Sequence, residues 1–331
     1  MRVGVVGATG YTGLELVKML LEHPSFKLSY IANSEGGTTI NKLHPALEGV
    51  CHDPVQKADI TQMAAACDLV FLALPHKTAM AYVKPLLQKG VKVVDLSADY
   101  RLPQEIYEAH YCKHTDPDNL EHVVYGLPEL FREDLKSARL VANPGCFPTS
   151  ALLGLLPFMA YHQKETPIIV DAKTGVSGAG KKLSDTTHFV NVDENLFAYN
   201  PLMHRHAPEI ASKLNLSLDL VHFVPHLVPV TRGMISSIYI QIQKGCNAAE
   251  VLASYYKDEP FVRILEHPVT MKNVAGTNFC DIYIKQKGTM LFIASAIDNL
   301  MRGASSQAVV NANLMMGCEE TAGVPRIAYV P

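Results

Sequence analysis

The chain has no paired cysteines to offer. Cys51, Cys67, Cys112, Cys146, Cys246, Cys280 and Cys318 are odd in number, widely scattered and include no C-x-x-C. That spacing argues against a disulfide framework and a structural zinc site, and it points to a reducing compartment, the cytoplasm. An excess of one charge is also missing. A formal net charge of -3 with a pI near 6.5 gives no general field for nucleic acid or an anionic membrane surface. No apolar run approaches the length needed to span a bilayer, and the opening Met1-Arg2-Val3-Gly4-Val5-Val6 is too short and glycine-rich for a signal segment. Internal repeats and low-complexity linkers are absent. What is present is an ordinary globular composition, 48% hydrophobic and 18% charged over 331 residues, enough for two buried cores and hence two domains.

The first run, Arg2-Val3-Gly4-Val5-Val6, has the look of a buried parallel strand, and Gly7-Ala8-Thr9-Gly10-Tyr11-Thr12-Gly13 follows at once. Leu14, Val17, Leu20 and Leu21 then recur at helical spacing until His23-Pro24 closes the helix. Strand, glycine turn, helix is an arrangement that cradles a pyrophosphate. Small residues let the backbone approach, and the helix N-terminus supplies N–H donors and a favourable dipole. The spacing is G-x-x-G-x-x-G and not the commoner G-x-G-x-x-G, so a plain tight turn is the competing account. The next strand, over 26–32, ends in Asn33-Ser34-Glu35, where a dinucleotide fold meets the adenosine ribose. A neutral tip favours NADP over NAD, with Ser34 donating to the 2′-phosphate; Glu35, one step beyond, argues the other way.

Further strands over 68–74 and 91–97 flank a helical stretch around 79–87, the alternation of a doubly wound sheet. The second of them ends in Ser97-Ala98-Asp99-Tyr100-Arg101. Strand C-termini in such sheets face the ligand crevice, which suits Ser97 and Arg101 to an anion, although a surface ion pair is the plainer account of Arg101.

A strand-like run over 138–142 leads into Asn143-Pro144-Gly145-Cys146-Phe147-Pro148-Thr149 and then the apolar Ser150-Ala151-Leu152-Leu153-Gly154-Leu155-Leu156, which reads as a helix. Gly145 allows a tight turn, and Cys146 falls near a helix N-terminus, where unpaired N–H groups and the dipole favour a thiolate. A buried structural thiol fits this stretch equally well. Beyond it the pattern shifts to longer strands. One over 167–172 runs into Thr174-Gly175-Val176-Ser177-Gly178-Ala179-Gly180-Lys181-Lys182, a second glycine-rich loop that suits either a phosphate or nicotinamide or a mobile surface. Strands at 223–226 and 236–242, a hairpin over 282–294 and a last helix over 304–316 complete the pattern.

Between these lies Met203-His204-Arg205-His206-Ala207-Pro208-Glu209-Ile210, with Pro208-Glu209 as the first turn of a helix. Two histidines without further ligands at metal spacing do not make a metal site. Solvated histidines beside an arginine are the bland account; the functional one is that a cysteine nucleophile needs an acid or base and an anionic substrate needs an arginine. His206, just outside the helix, is the first choice for acid and base. His204 and Arg205 are then left for the anionic ends of a substrate, and the two histidines are exchangeable on sequence grounds.

Taken together, these motifs resemble the N-acetyl-γ-glutamyl-phosphate reductase branch of the aspartate-semialdehyde dehydrogenase superfamily. The likeness rests on Gly7-Ala8-x-Gly10-Tyr11-x-Gly13, residues 96–102, Tyr125-Gly126-Leu127-Pro128-Glu129, Asn143-Pro144-Gly145-Cys146-Phe147-Pro148-Thr149, residues 175–180, His204-Arg205-His206-x-Pro208-Glu209-Ile210, and Asp298-Asn299-Leu300-x-x-Gly303-Ala304. Lys173-Thr174 and Arg302, the latter where relatives often have lysine, are departures. The resemblance implies an NADPH-dependent reduction of an acyl phosphate to a semialdehyde through a thioester on Cys146. It also implies cofactor contacts at Gly7 to Gly13 (including Ala8, Thr9, Tyr11 and Thr12), Ser34, Ser177, Gly178, Ala179, Gly180, Asn299 and Arg302, and substrate contacts at Ser97, Arg101, Arg205 and Glu209. A dehydrogenase for another acid and a non-catalytic NADP-binding sensor are the alternatives; a sensor needs neither Cys146 nor the histidines. The expected fold is α/β: an N-terminal doubly wound Rossmann-type domain over 1–145 plus about 303–331, and a second α+β domain on a largely antiparallel sheet over 146–302. By family analogy a homo-oligomer is expected, acting on a small molecule.

Overall fold

The apolar run at the N-terminus forms β1 (Arg2–Val6), and its Val3, Val5 and Val6 have no exposed surface in the computed structural model, which describes residues 1–329. Burial on both faces is the reason the run is continuously apolar. Seven strands join it: β2 (Lys27–Asn33), β3 (Thr38–Thr39), β4 (Pro54–Lys57), β5 (Leu69–Leu72), β6 (Lys92–Asp95), β7 (Val124–Tyr125) and β8 (Leu140–Ala142). The order is β3-β4-β2-β1-β5-β6-β8-β7, and every pairing is parallel except that of β3 with β4. Strand order reverses at β1, so the ligand crevice of a doubly wound sheet opens at its carboxyl end, where the glycine turn stands. Beneath one face Val70, Leu72, Val93, Met63, Val83 and Tyr107 share a core. Burying each such side chain contributes roughly 1.5–3 kcal/mol.

The chain divides into two units, Met1–Gly145 with Ala304–Val324, and Cys146–Gly303 with residues 325–329. The sequence pattern assigned everything after about 303 to the first unit. Residues 325–329 instead join the second, because the Asn278 N–H donates to the Pro325 carbonyl at 3.2 Å, the Tyr329 N–H to the Ala275 carbonyl at 3.2 Å, and Arg232 Nη1 to the Tyr329 hydroxyl at 2.8 Å. The last helix, Ser306–Met315, is buried around its whole girth and follows a π-helical turn at Met301–Ser305. Its polar side is met by other amides: Asn311 Nδ2 donates to the Gly126 carbonyl at 2.9 Å and to Asn143 Oδ1 at 3.0 Å.

The second unit holds β9 (Ile168–Gly175), β10 (Phe197–Ala198), β11 (Val221–Val228), β12 (Met234–Gln241), β13 (Val262–Ile264), β14 (Cys280–Lys287) and β15 (Met290–Ile297). Their order is β10-β11-β9-β12-β15-β14-β13. The sheet is mixed but largely antiparallel, with parallel pairings only of β9 with β11 and β13 with β14. Alternation is clear in β9, where Ile168, Val170 and Ala172 are buried and Ile169, Asp171 and Lys173 face outward. The helix Cys146–Leu155 packs on β12 and β15. It starts at Cys146 and not at Ser150, and all its residues beyond Cys146 are buried, which leaves no apolar period to mark its beginning. Gly154 permits the close approach, since a Cβ there would stand 2.9 Å from Ile238 Cδ1. Ser150 Oγ is satisfied beneath the helix by Ser236 Oγ at 2.9 Å.

Candidate active site

In the first unit the three turn glycines serve different ends. Gly7 has φ +92, and a Cβ on it would lie 2.1 Å from the Ala73 carbonyl oxygen; a Cβ on Gly13 would lie 2.4 Å from the Gly7 carbonyl oxygen. Both are demanded by the chain's own packing. Gly10 is different: a Cβ there would meet only the Gly7 oxygen, at an ordinary 3.7 Å. Gly10 is the N-cap of the helix Tyr11–Leu21, where no side chain caps the end and no acidic residue stands in the first turn. An uncapped, uncharged helix start with open space beside a glycine fits the pyrophosphate of a dinucleotide. Asn33 Nδ2 donates to Thr9 Oγ1 at 3.2 Å, tying the turn to the tip of β2, where Ser34 is exposed. Asn33 Oδ1 also accepts from the Glu35 and Gly36 N–H groups. His44, which sequence reasoning passed over, holds the Ala8 carbonyl at 2.7 Å.

The segment Ser97 to Arg101 proves to be framework. Ser97 is 1% exposed, and its hydroxyl donates to Asp95 Oδ2 at 2.8 Å while accepting from the Asp99 N–H at 3.0 Å. Asp99 in turn accepts from the Lys77 and Ala79 N–H groups and from the Tyr107 hydroxyl. Arg101 is buried, so it is no surface ion pair; its Nε donates to the Asn143 carbonyl at 2.8 Å and its Nη2 to the Leu96 carbonyl at 2.7 Å. That edge of the guanidinium is committed to backbone and is not the edge for a phosphoryl group. Burial raises the Asp95 carboxyl to about 7, against the Ser97 hydrogen bonds that favour its ionised form.

In the second unit Cys146 is half-buried and opens its helix, where the dipole favours negative charge on sulfur. Gly303 is required beside it, since a Cβ at 303 would stand 2.6 Å from the Cys146 Cβ. Phe147, the next residue, packs edge-on to His204 at 5.7 Å and to His206 at 5.8 Å between ring centroids. The two imidazoles are 4.8 Å apart. The chain thus places the cysteine's neighbour against both histidines. The His206 backbone N–H donates to His204 Nδ1 at 3.2 Å. Nδ1 of His204 therefore carries no proton, and the neutral ring bears its hydrogen on Nε2. Burial, and next the adjacent Arg205 charge, push the His204 ring down to about 4. At neutral pH His204 is a donor in a fixed tautomer and not a reservoir of protons. Arg205 is exposed. Glu209 is 1% exposed in the first turn of the helix Ala207–Leu214, where its charge suits the dipole. That placement makes it part of the helix start.

In the same unit Asn299 Nδ2 donates to Ser177 Oγ at 3.0 Å, and Asn299 Oδ1 accepts from the Gly233 N–H at 2.8 Å. Gly178 lies against the same amide, since a Cβ on it would come 3.7 Å from Asn299 Nδ2. Three of the residues expected on the nicotinamide side are thus brought together. The loop itself is a 3-10 turn, Val176–Ala179, ending at Gly180 with φ +82. Arg302 is fully buried. Among the described residues no helix is long and apolar enough to cross a membrane.

A phosphate-suited glycine turn on a doubly wound sheet in one unit, and in the other a helix-start cysteine whose neighbour packs against paired histidines, define a class. Residues 2–138 match the model of the semialdehyde dehydrogenase NAD binding domain, and residues 146–299 that of the semialdehyde dehydrogenase dimerisation domain. The chain belongs to the semialdehyde dehydrogenase family. It is 69% identical over 329 residues to the N-acetyl-gamma-glutamyl-phosphate reductase of Sulfurimonas denitrificans, covering 99% of this chain and 98% of that one. The corresponding reductase of a Sulfurovum species is 58% identical, with both chains covered in full. Among solved structures, aspartate semialdehyde dehydrogenase II of Vibrio cholerae superposes with a TM-score of 0.73 at 16% identity, over 96% of this chain and 98% of that one. The aspartate semialdehyde dehydrogenase of Candida albicans, solved with NADP, gives 0.69 at 15% identity over 95% and 97% of the two chains. These two likenesses concern the fold.

Proposed function

We propose that this protein reduces N-acetyl-L-glutamyl 5-phosphate to N-acetyl-L-glutamate 5-semialdehyde and phosphate with NADPH, a step of arginine biosynthesis carried out in the cytoplasm. The observation that carries the reading is Cys146 at a helix start, in one unit with His204 and His206, in a chain so close to named reductases over its full length. The Cys146 thiolate attacks the acyl carbon, the carbon–oxygen bond to phosphorus breaks, and phosphate leaves with the bonding electrons; a thioester remains on sulfur. When bound, NADPH supplies the hydride that reduces the thioester carbon. The resulting thiohemiacetal oxyanion re-forms its carbonyl as the carbon–sulfur bond breaks, which releases the semialdehyde, and His206 protonates the departing sulfur. His204 contributes its Nε2–H to an oxygen of the reacting group, which suits a ring held neutral. Arg205 meets the anionic end of the substrate. The turn from Gly7 to Gly13 would hold the pyrophosphate, Ser34 the 2′-phosphate, and Ser177 to Gly180 with Asn299 the nicotinamide side, over the buried charge of Arg302.

Phosphate-dependent reduction of NADP, followed with N-acetylglutamate semialdehyde and in parallel with aspartate semialdehyde, tests the assignment. A strong preference for the acetylglutamyl compound is expected; equal rates on both would defeat it.

The working form is a homo-oligomer joined through the open face of the second sheet. Ile169, Tyr239 and Phe292 are register partners on β9, β12 and β15 that face away from the cysteine helix, and Ile169 and Tyr239 are each 40% exposed. An apolar row of this kind across three strands is costly to leave in water. Tyr239→Arg should convert the assembled species to a smaller one in light scattering; no change in mass would count against this face.

A further inference from the structure

Tyr199 stands in the second unit directly after β10, in a place no sequence motif marked. Its N–H donates to the Pro225 carbonyl at 3.0 Å, and β10 is anchored to β11 by the Phe197–Leu227 and Ala198–His226 pairs. The side chain is therefore delivered by backbone pairing and not by a flexible loop. Its ring meets His204 edge-on, with centroids 5.5 Å apart and planes at 74°. Phe147 reaches the same imidazole at 5.7 Å and 82°, and Phe223 at 5.3 Å and 64°. Three aromatic rings, from the cysteine helix, from β11 and from the residue after β10, thus contact His204, while the His206 N–H occupies Nδ1. Edge-to-face contacts of this sort favour one ring orientation over others.

We propose that Tyr199 is a positioning residue of the active site: its ring closes an aromatic box, with Phe147 and Phe223, that holds His204 in one orientation and one tautomer with Nε2–H as its donor. The proposal deepens the reductase reading and rests on it for the use made of that donor. Among the described residues, the charged and titratable groups near His204 include Arg205 and His206 on its own segment and the Tyr199 phenol, with Cys146 one residue ahead of Phe147. Burial first, and then the negative charge of Cys146, keep that phenol protonated, so Tyr199 adds no competing charge. Contact through the ring, and not through the hydroxyl, is what the geometry records.

The test is the titration of His204 in the full-length protein by 15N NMR of labelled histidine, assigned with His204→Asn. Wild type and Tyr199→Phe should titrate alike, near pH 4 with an unprotonated Nδ1. In Tyr199→Leu the His204 midpoint should rise by at least about 1 unit as water enters, the two tautomers should mix, and kcat should fall about tenfold with little change in KM. Tyr199→Met, closer in volume, gives the same reading should the leucine variant fail to fold. An unchanged His204 titration in the non-aromatic variants would overturn the proposal, as would a Tyr199→Phe that behaved like them, which would assign the role to the hydroxyl. Failure of the wild type to reduce the acyl phosphate would sink the reductase reading and leave the titration result standing.

Discussion

Two polar segments that look alike on paper part company in the fold. Ser97 to Arg101 and His204 to Glu209 each combine a small set of charged and hydrogen-bonding residues next to a regular element. In the first, nearly every polar atom is given to the protein itself: Ser97 to Asp95, Asp99 to the Lys77 and Ala79 amides, Arg101 to two backbone carbonyls. In the second, aromatic edges help to orient the two imidazoles, and the His206 N–H is given to His204 Nδ1, which leaves the His204 hydrogen on Nε2. A polar residue satisfied by buried backbone builds the frame; one held by apolar contacts keeps its donor for chemistry.

Substitutions can break that contrast or sharpen it. The largest effect should come from Cys146→Ser, which keeps the helix start but lowers nucleophilicity: turnover should fall by roughly three orders of magnitude or more, with NADPH binding intact by fluorescence. His206→Asn should lower kcat by about 100-fold or more and remove one limb of its pH profile. If His204→Asn were the variant that lost the limb, the roles of the two rings would be exchanged. Arg101→Lys cannot bridge the Leu96 and Asn143 carbonyls, so it should lose about 1–3 kcal/mol of stability, read as a lower denaturation midpoint, together with a fall in kcat. An unchanged midpoint with a raised KM for the acyl phosphate would restore Arg101 to the substrate. Ser34→Asp should weaken NADPH about tenfold or more through charge repulsion and leave NADH nearly untouched, measured as the ratio of their KM values.

The smallest effect is on acid stability. His204 titrates at about 4 folded against 6.5 unfolded. A depressed folded value means its contribution is present above pH 6.5 and is lost as pH falls towards 4, because the unfolded chain takes up the proton first. After allowance for partial exposure this amounts to roughly 1–2 kcal/mol. His204→Asn should therefore lose less stability between pH 7 and pH 5 than wild type does, as read from urea midpoints; an identical loss in both would refute the assignment.

Much of this architecture was legible in the chain because it rests on local pattern. The apolar β1 followed by three glycines, the alternation in β9 and β12, and the Lys287-Gly288 hairpin each depend on neighbours within a few residues. Element ends were less legible: the helix expected from Ser150 begins at Cys146, and the strand expected to stop at Ala142 and its neighbours begin later than their apolar runs, since pairing length is set by partners elsewhere. By itself the sequence determined the family motifs, the cysteine after the Pro-Gly turn, the histidine pair and the glycine turn. Only the tertiary structure decided that Gly7 and Gly13 serve packing while Gly10 leaves room for a ligand, that Arg101 spends one edge on backbone, and that Tyr199 stands against His204. The physical reason is common to all three. Whether a glycine, a guanidinium or a ring is available depends on atoms brought to it from distant parts of the chain, and a one-dimensional pattern carries no record of those distances.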